Sequence, residues 1–319
     1  MTATTALPLH DDWRRLTVDE YLALLWPDRS RRALDTLFAS GRIRSRGQPV
    51  ARDRVVADLQ NLTLVGSLDD VPSIPLSESR NVPGLQILHE DDRFVVLDKP
   101  SGLSVIPTRD GTTASCLSFL IQRELDERTR KPPADYRRYR VVHRIDRLTS
   151  GLVILAKTSE VERQIRMDFE ARRVTKEYSA ILAGSLEAAR CTIDCPIGPG
   201  RKGKMRALGE PRPDYRSAIT VFEPVERFDG FTFVRASPAT GRTHQIRVHA
   251  WAIGHPLAVD PLYGRHPNRN PDPLPGMDRL TLHAHRYTLP ATWDQPRSFE
   301  SQLPEDFCAA LDRLRETLR

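Results

Sequence analysis

The sequence predicts an α+β protein in two parts: a small arginine-rich helical unit over residues 14–67 and a larger sheet-forming domain over residues 86–319. Three observations predict it. Apolar residues at helical spacing fill the first part, and short alternating or continuous apolar runs dominate the second. Between them, residues 68–85 have linker composition, with Pro72, Pro75 and Pro83 among Ser, Asp and Glu. A chain of 319 residues suits one domain of ordinary size plus a smaller one.

Composition narrows the class. With 39% hydrophobic and 28% charged residues, the chain can bury a real core. No apolar run approaches the ~18 residues a spanning helix needs, and MTATTALPLHDDWRR lacks the basic start and apolar stretch of a secretory signal. Four scattered cysteines, Cys116, Cys191, Cys195 and Cys308, suit a reducing compartment better than a disulfide framework. The expectation is a cytoplasmic monomer with no membrane contact. A net charge of +6 and a pI near 9.3 favour an anionic partner. The charge is concentrated: residues 29–54 hold eight arginines against Asp35 and Asp53.

In the first part, Tyr21, Leu22, Leu24 and Leu25 make a helical stripe that Pro27-Asp28 ends. Ser30 is a candidate N-cap for a second helix through Phe38, and Gly41 supplies its stop. Residues 43–65 read as short strands and turns. Arg31, Arg32 and Arg42 would face outward toward phosphates; a solvated basic hairpin is the plainer alternative.

The second part opens with QILHEDDRFVVLDKPSGLSVIP, two strand-like runs around an Asp-Asp turn, after which strands and helices are expected to alternate. Residues 141–158, VVHRIDRLTSGLVILAKT, are the centre of the chain. Leu152 to Ala156 is the pattern of a fully buried strand. Ser159 with Glu162 predicts a capping box, and Val161, Ile165 and Phe169 a buried helical face. Between Val142 and Leu152 the chain must turn, crowding His143, Arg144, Asp146, Arg147, Thr149 and Ser150 against a buried strand, where a site is expected. Further on, Thr243 is a candidate N-cap. Ile246, Ala250 and Ile253 form the buried stripe of the following helix and leave His244 and Arg247 on the other face. Pro304 starts a last helix carrying Phe307, Leu311, Leu314 and Leu318.

Two partial motifs fail. Gly198 to Lys204 fits most of a phosphate-binding loop, but Met205 stands where a Ser or Thr would hold magnesium, and no apolar helix follows. Arg201, Lys202, Lys204, Arg206, Arg212 and Arg216 read instead as a basic loop, either gripping a phosphate backbone or merely solvated. Cys191 and Cys195 with His283 and His285 lack zinc-site spacing and read as buried free thiols; no metal is expected.

His143-Arg-Ile-Asp-Arg-Leu-Thr-Ser-Gly151 resembles the signature of RluA-type pseudouridine synthases, with Leu148 where that family often has an acid. Further matches follow in family order: Lys99 to Leu103, Lys176-Glu177-Tyr178, Gly241 to His249, Gly254-His255-Pro256 with Asp260 and Tyr263-Gly264, and Leu282-His283-Ala284. The resemblance covers about residues 86 to 290. The first part is similar to the α-L RNA-binding motif in its Leu16-to-Leu24 stretch, Ser30-Arg31-Arg32, Ala39 to Ile43, and Gly47 with Val50; Ser45-Arg46-Gly47 replaces the usual Val-Asn-Gly.

The resemblance implies a pseudouridine synthase fold, a mixed and mostly antiparallel sheet with flanking helices and a central cleft. It implies isomerisation of uridine within structured ribosomal or transfer RNA, without cofactor. Asp146 would start the reaction, by attacking the sugar, attacking the ring or removing a proton. Arg247 would pair with it, since a buried carboxylate needs a partner. Tyr178 would stack on the uracil and serve as a later general base. Arg144 would enter the stack when the nucleotide leaves it. Arg147, Thr149, Arg242 and His244 are expected at the substrate. Two rival readings remain: a non-catalytic RNA-binding or ribosome-assembly factor on the same fold, and a glycosidase or glycosylase, which would release base or sugar.

Overall fold

The computed structural model describes residues 4–7, 17–26, 29, 31–68, 84–106, 117, 139–201, 204–209, 212–266, 274, 276–295 and 297–317. Pro27-Asp28, Ser30, Cys116, Lys202, Leu318 and most of the expected linker lie outside these residues, as do the side chains of Leu24 and Arg31. No helix among the described residues is long and apolar enough to cross a membrane.

The chain forms two compact units, one of residues 1–82 and 103–141, the other of residues 83–102 and 142–319. In the first, helix α1 (Val18–Leu25) begins at a capping box: Thr17 Oγ1 accepts the Glu20 N–H, and Glu20 accepts the Thr17 N–H. Helix α2 (Arg31–Ala39) closes at Gly41, whose φ of +64° lets the Arg42 N–H reach back to the Leu37 carbonyl. Strands β1 (Thr4–Ala6), β2 (Ile43–Ser45), β3 (Gln48–Pro49) and β4 (Leu62–Val65) form an antiparallel sheet in the order β1-β4-β2-β3. Val18, Tyr21, Leu22, Leu34, Leu37 and Leu62 are its core.

The second unit begins with β5 (Gln86–Glu90) and β6 (Phe94–Lys99), joined by an Asp91 turn whose carboxylate accepts the Arg93 and Phe94 N–H groups. The first unit then returns with β7 (Arg140–Val141), after which the second continues to the end of the chain with β8 (Ser150–Ala156), α3 (Ser159–Glu170), β9 (Thr175–Ala183), β10 (Cys191–Asp194), β11 (Ile197–Pro199), β12 (Met205–Ala207), β13 (Ile219–Phe228), β14 (Phe231–Pro238), α4 (Gln245–Ala252), β15 (Leu282–Thr288), β16 (Ser298–Glu300) and α5 (Glu305–Glu316). The main sheet runs β10-β13-β14-β9-β15-β8-β6-β5, mixed and mostly antiparallel as expected, with β15 and β8 parallel. Strands greatly outnumber helices in the described residues, so the expected alternation gives way to hairpins.

β8 is buried at every residue. Its Gly151 lies inside the strand rather than before it, at φ +106°, and a Cβ there would stand 2.3 Å from the Ala284 carbonyl oxygen of β15. Only glycine lets those parallel strands approach. The cap of α3 is Thr158, not Ser159: Thr158 is extended, and its hydroxyl accepts the Val161 N–H, while Ser159 is already helical. Glu162 pairs instead with Arg166 at 3.0 Å. β11 and β12 pair antiparallel, so Arg206 sits on a strand rather than in an open loop, and the Gly200 N–H donates to the Lys204 carbonyl beside the pair. Helix α5 buries Phe307, Leu311 and Leu314 against Ile181, Phe228 and Phe231.

Candidate active site

The polar turn between Val142 and β8 is held from both sides. Lys99 Nζ donates to the carbonyls of Pro100 and Arg147 (2.8 and 3.1 Å), the Gly102 N–H to Arg147, and the Ser101 hydroxyl to Leu148. Burial pushes the Lys99 ammonium down to about 7, opposed by the charge of Asp146. On the other flank, His143 stacks on Phe169 (4.7 Å between ring centres), and its Nε2 accepts the Ile154 N–H at 2.9 Å. That bond requires a neutral ring, and burial followed by the Lys176 charge depresses it to about 3.

Asp146 therefore projects from a fixed turn into a cavity of about 410 Å³, within the range of small-ligand sites. Helix α4 supplies its partner. Arg247 Nη1 donates to Asp146 Oδ2 at 2.9 Å, while Nε and Nη2 donate to the two oxygens of Asp260 at 2.7 and 2.8 Å. The Asp260 side chain is 0% exposed and Asp146 24% exposed, so one carboxylate is sealed and the other is open to a ligand. Burial works against the Arg247 charge, but the bonds and charge of Asp260, then those of Asp146, raise its pKa overall.

The cavity wall is cationic and aromatic. Arg144, Arg172, Lys176 and Arg242 line it, with Phe169, Tyr178 and Tyr287. Lys176, held by the Thr240 carbonyl at 2.9 Å, is lowered to about 8 by burial and by Arg242. Tyr178 is raised to about 12 by burial, which favours its neutral form at ordinary pH.

The deciding comparison is with protein families: residues 93–252, half of the chain, match the RNA pseudouridylate synthase family model. The chain belongs to that family. It is 32% identical to the ribosomal large subunit pseudouridine synthase D of Nitrosomonas europaea over 98% of this chain and 88% of that protein. It is 34% identical to the ribosomal large subunit pseudouridine synthase C of Vibrio vulnificus over 77% of this chain and 75% of that one. Among solved structures, Human RNA Pseudouridylate Synthase Domain Containing 4 superposes with a TM-score of 0.57 at 25% identity, covering 72% of this chain and 92% of the human one. Human RNA Pseudouridylate Synthase Domain Containing 1 gives 0.55 at 26% identity, over 75% and 96%.

In this pseudouridine synthase the cavity gathers Arg144, Asp146, Thr149, Tyr178, Arg242, His244 and Arg247. Arg144 is exposed and touches the Thr243 hydroxyl at 3.2 Å. Thr149 is buried, and its hydroxyl has no hydrogen-bond partner among the described residues. Arg147 is exposed but does not line the cavity, and its backbone carbonyl is the part that Lys99 uses. In the other unit, Arg32 is exposed on α2, whereas Arg42 is tied to the carbonyls of Val65 and Ser67.

Helix α4 departs from the amphipathic expectation. Its cap is His244 in the left-handed region (φ +57°), not Thr243, with Nδ1 2.9 Å from the Tyr263 hydroxyl. Gln245 to Ala250 are all buried, so Arg247 reaches the cavity from inside the protein rather than from a polar face. Arg172, Lys176, Asp260 and Tyr287 were not singled out by sequence reasoning as site residues. Lys176 and Asp260 stand out in the sequence only as motif matches, and nothing local to Tyr287 marks it. Cys191 and Cys195 are free and half-buried, less enclosed than expected. His283 is bonded to Ser150 and Ser301.

Proposed function

We propose that this chain isomerises uridine to pseudouridine in large-subunit ribosomal RNA, with Asp146 as nucleophile. One observation carries the reading: a carboxylate open to a cavity, with one oxygen held by a guanidinium that a second, sealed carboxylate holds in turn. Arg247 orients Asp146 without covering it, as a nucleophile needs. The reaction breaks N1–C1′ and joins C5 to C1′; C5 loses a proton and N1 gains one, so no redox partner is consumed.

A base inside a duplex cannot enter such a cavity, so the target must be extruded or already unpaired. Arg144, exposed at the rim, suits the vacated place in the stack, and Tyr178 and Phe169 offer aromatic faces to the extruded base. The ribosomal choice over transfer RNA follows the relatives' names, which refer to the large ribosomal subunit. Residues 14–67 would add affinity through Arg32 and neighbouring arginines, by neutralising phosphates. A cytoplasmic monomer suits such a substrate.

The test uses purified protein and unmodified large-subunit ribosomal RNA, with pseudouridine mapped site by site. Conversion of defined uridines is expected with the wild type and absent with Asp146→Asn. RNA that is bound but never converted would support the assembly-factor reading.

A further inference from the structure

The hydroxyls of the two cavity tyrosines make a pair that the reaction scheme above leaves unused. Tyr178 on β9 and Tyr287 on β15 place their hydroxyl oxygens 2.6 Å apart, so one donates to the other. Tyr287 is 0% exposed, and Tyr178 is the only hydrogen-bond partner of its hydroxyl among the described residues. Its ring meets those of His143 and Phe169 in T-shaped contacts, with ring centres 5.2 and 6.5 Å away. The direction of the bond follows. If Tyr178 donated, the proton of the fully buried Tyr287 hydroxyl would find no other acceptor among the described residues, a costly arrangement, whereas Tyr178 is partly exposed in the cavity. If Tyr287 donates, the displaced Tyr178 proton turns into the cavity, where ligand or water accepts it.

We propose that Tyr287 is a positioning residue that donates its hydroxyl proton to Tyr178, so that Tyr178 presents a hydrogen-bond donor, not a base, to a carbonyl oxygen of the extruded pyrimidine. This rests on reading the cavity as the uridine site. Both phenols stay neutral there: burial raises Tyr178 to about 12, with the Tyr287 bond opposing the rise, and raises Tyr287 well above its ordinary value. A phenol accepting one hydrogen bond is also a stronger donor through its own proton, since linked hydrogen bonds polarise one another.

Tyr287→Phe keeps the ring and deletes the donor. The expected result is a kcat about tenfold lower with the KM for ribosomal RNA unchanged within about twofold, because the lost bond acts on the base rather than on RNA docking. The wild-type rate is expected to be flat from pH 7 to 8.5. A kcat for Tyr287→Phe equal to the wild type, or a wild-type rate that climbs about tenfold per pH unit over that range, overturns the proposal. The pH profile needs no variant, so it decides even if Tyr287→Phe fails to fold. Absence of pseudouridine with the wild type defeats the functional reading itself, whereas an active wild type with an indifferent Tyr287→Phe defeats only this inference.

Discussion

Arg247 gives Asp260 two hydrogen bonds, at 2.7 and 2.8 Å, and so reaches Asp146 with a guanidinium whose plane and distance are already set. The Asp260 oxygens are fixed in their turn, since Oδ1 also accepts the Leu262 and Tyr263 N–H groups. Asp260→Ala leaves a buried arginine with one partial partner. We expect a loss of about 3–5 kcal/mol in stability and an activity decrease of more than about 100-fold from misplacement of Asp146. Denaturant melts and single-turnover rates measure the two effects. A fully active, equally stable variant would show that Asp260 neither holds nor aims Arg247.

Asp146→Asn keeps the size of the side chain and removes the charged oxygen. Activity should fall at least about 10³-fold, as for removal of a nucleophile. Affinity for RNA, set by rim and surface cations, should stay within a few fold. Substantial turnover by this variant would exclude the carboxylate as the reacting group.

Gly151→Ala tests the seam between β8 and β15. A Cβ 2.3 Å from the Ala284 oxygen at a φ of +106° combines overlap with backbone strain. The expected cost is about 3 kcal/mol or more, read as a large drop in melting temperature. Unchanged stability would mean that the strands can separate locally without loss.

Two histidines predict acid sensitivity. Burial holds His283 at about 4 and His143 at about 3, against 6.5 when unfolded. Between those values and 6.5 the unfolded chain binds protons that the native protein refuses, so stability falls as pH falls through that window and is fully present above it. Each contributes up to about 2 kcal/mol of loss at pH 5 relative to pH 8. His283→Asn should flatten the pH dependence of unfolding, and an unaltered slope would remove His283 from the account.

Much was legible beforehand because it depends on local pattern. The run Leu152 to Ala156 announced a buried strand, since five consecutive apolar side chains leave no face for water. Asp146, Arg247 and Tyr178 could be named because the motifs around them are long and ordered. Capping was less secure. Thr158 and Ser159 are both competent caps, and the extended backbone leaving β8, not composition, chose Thr158.

The sequence by itself determined the α+β class and the polar turn on a buried strand, and its family resemblance implied the pairing of Asp146 with Arg247. Tertiary structure alone decided that Arg247 comes from a helix buried on every side, that Asp260 holds it, and that Tyr287 meets Tyr178 from a strand 109 positions along the chain. The reason is physical. Periodicity and capping are properties of neighbours in the chain, whereas a hydrogen bond across a sheet depends on register between strands that meet only after folding.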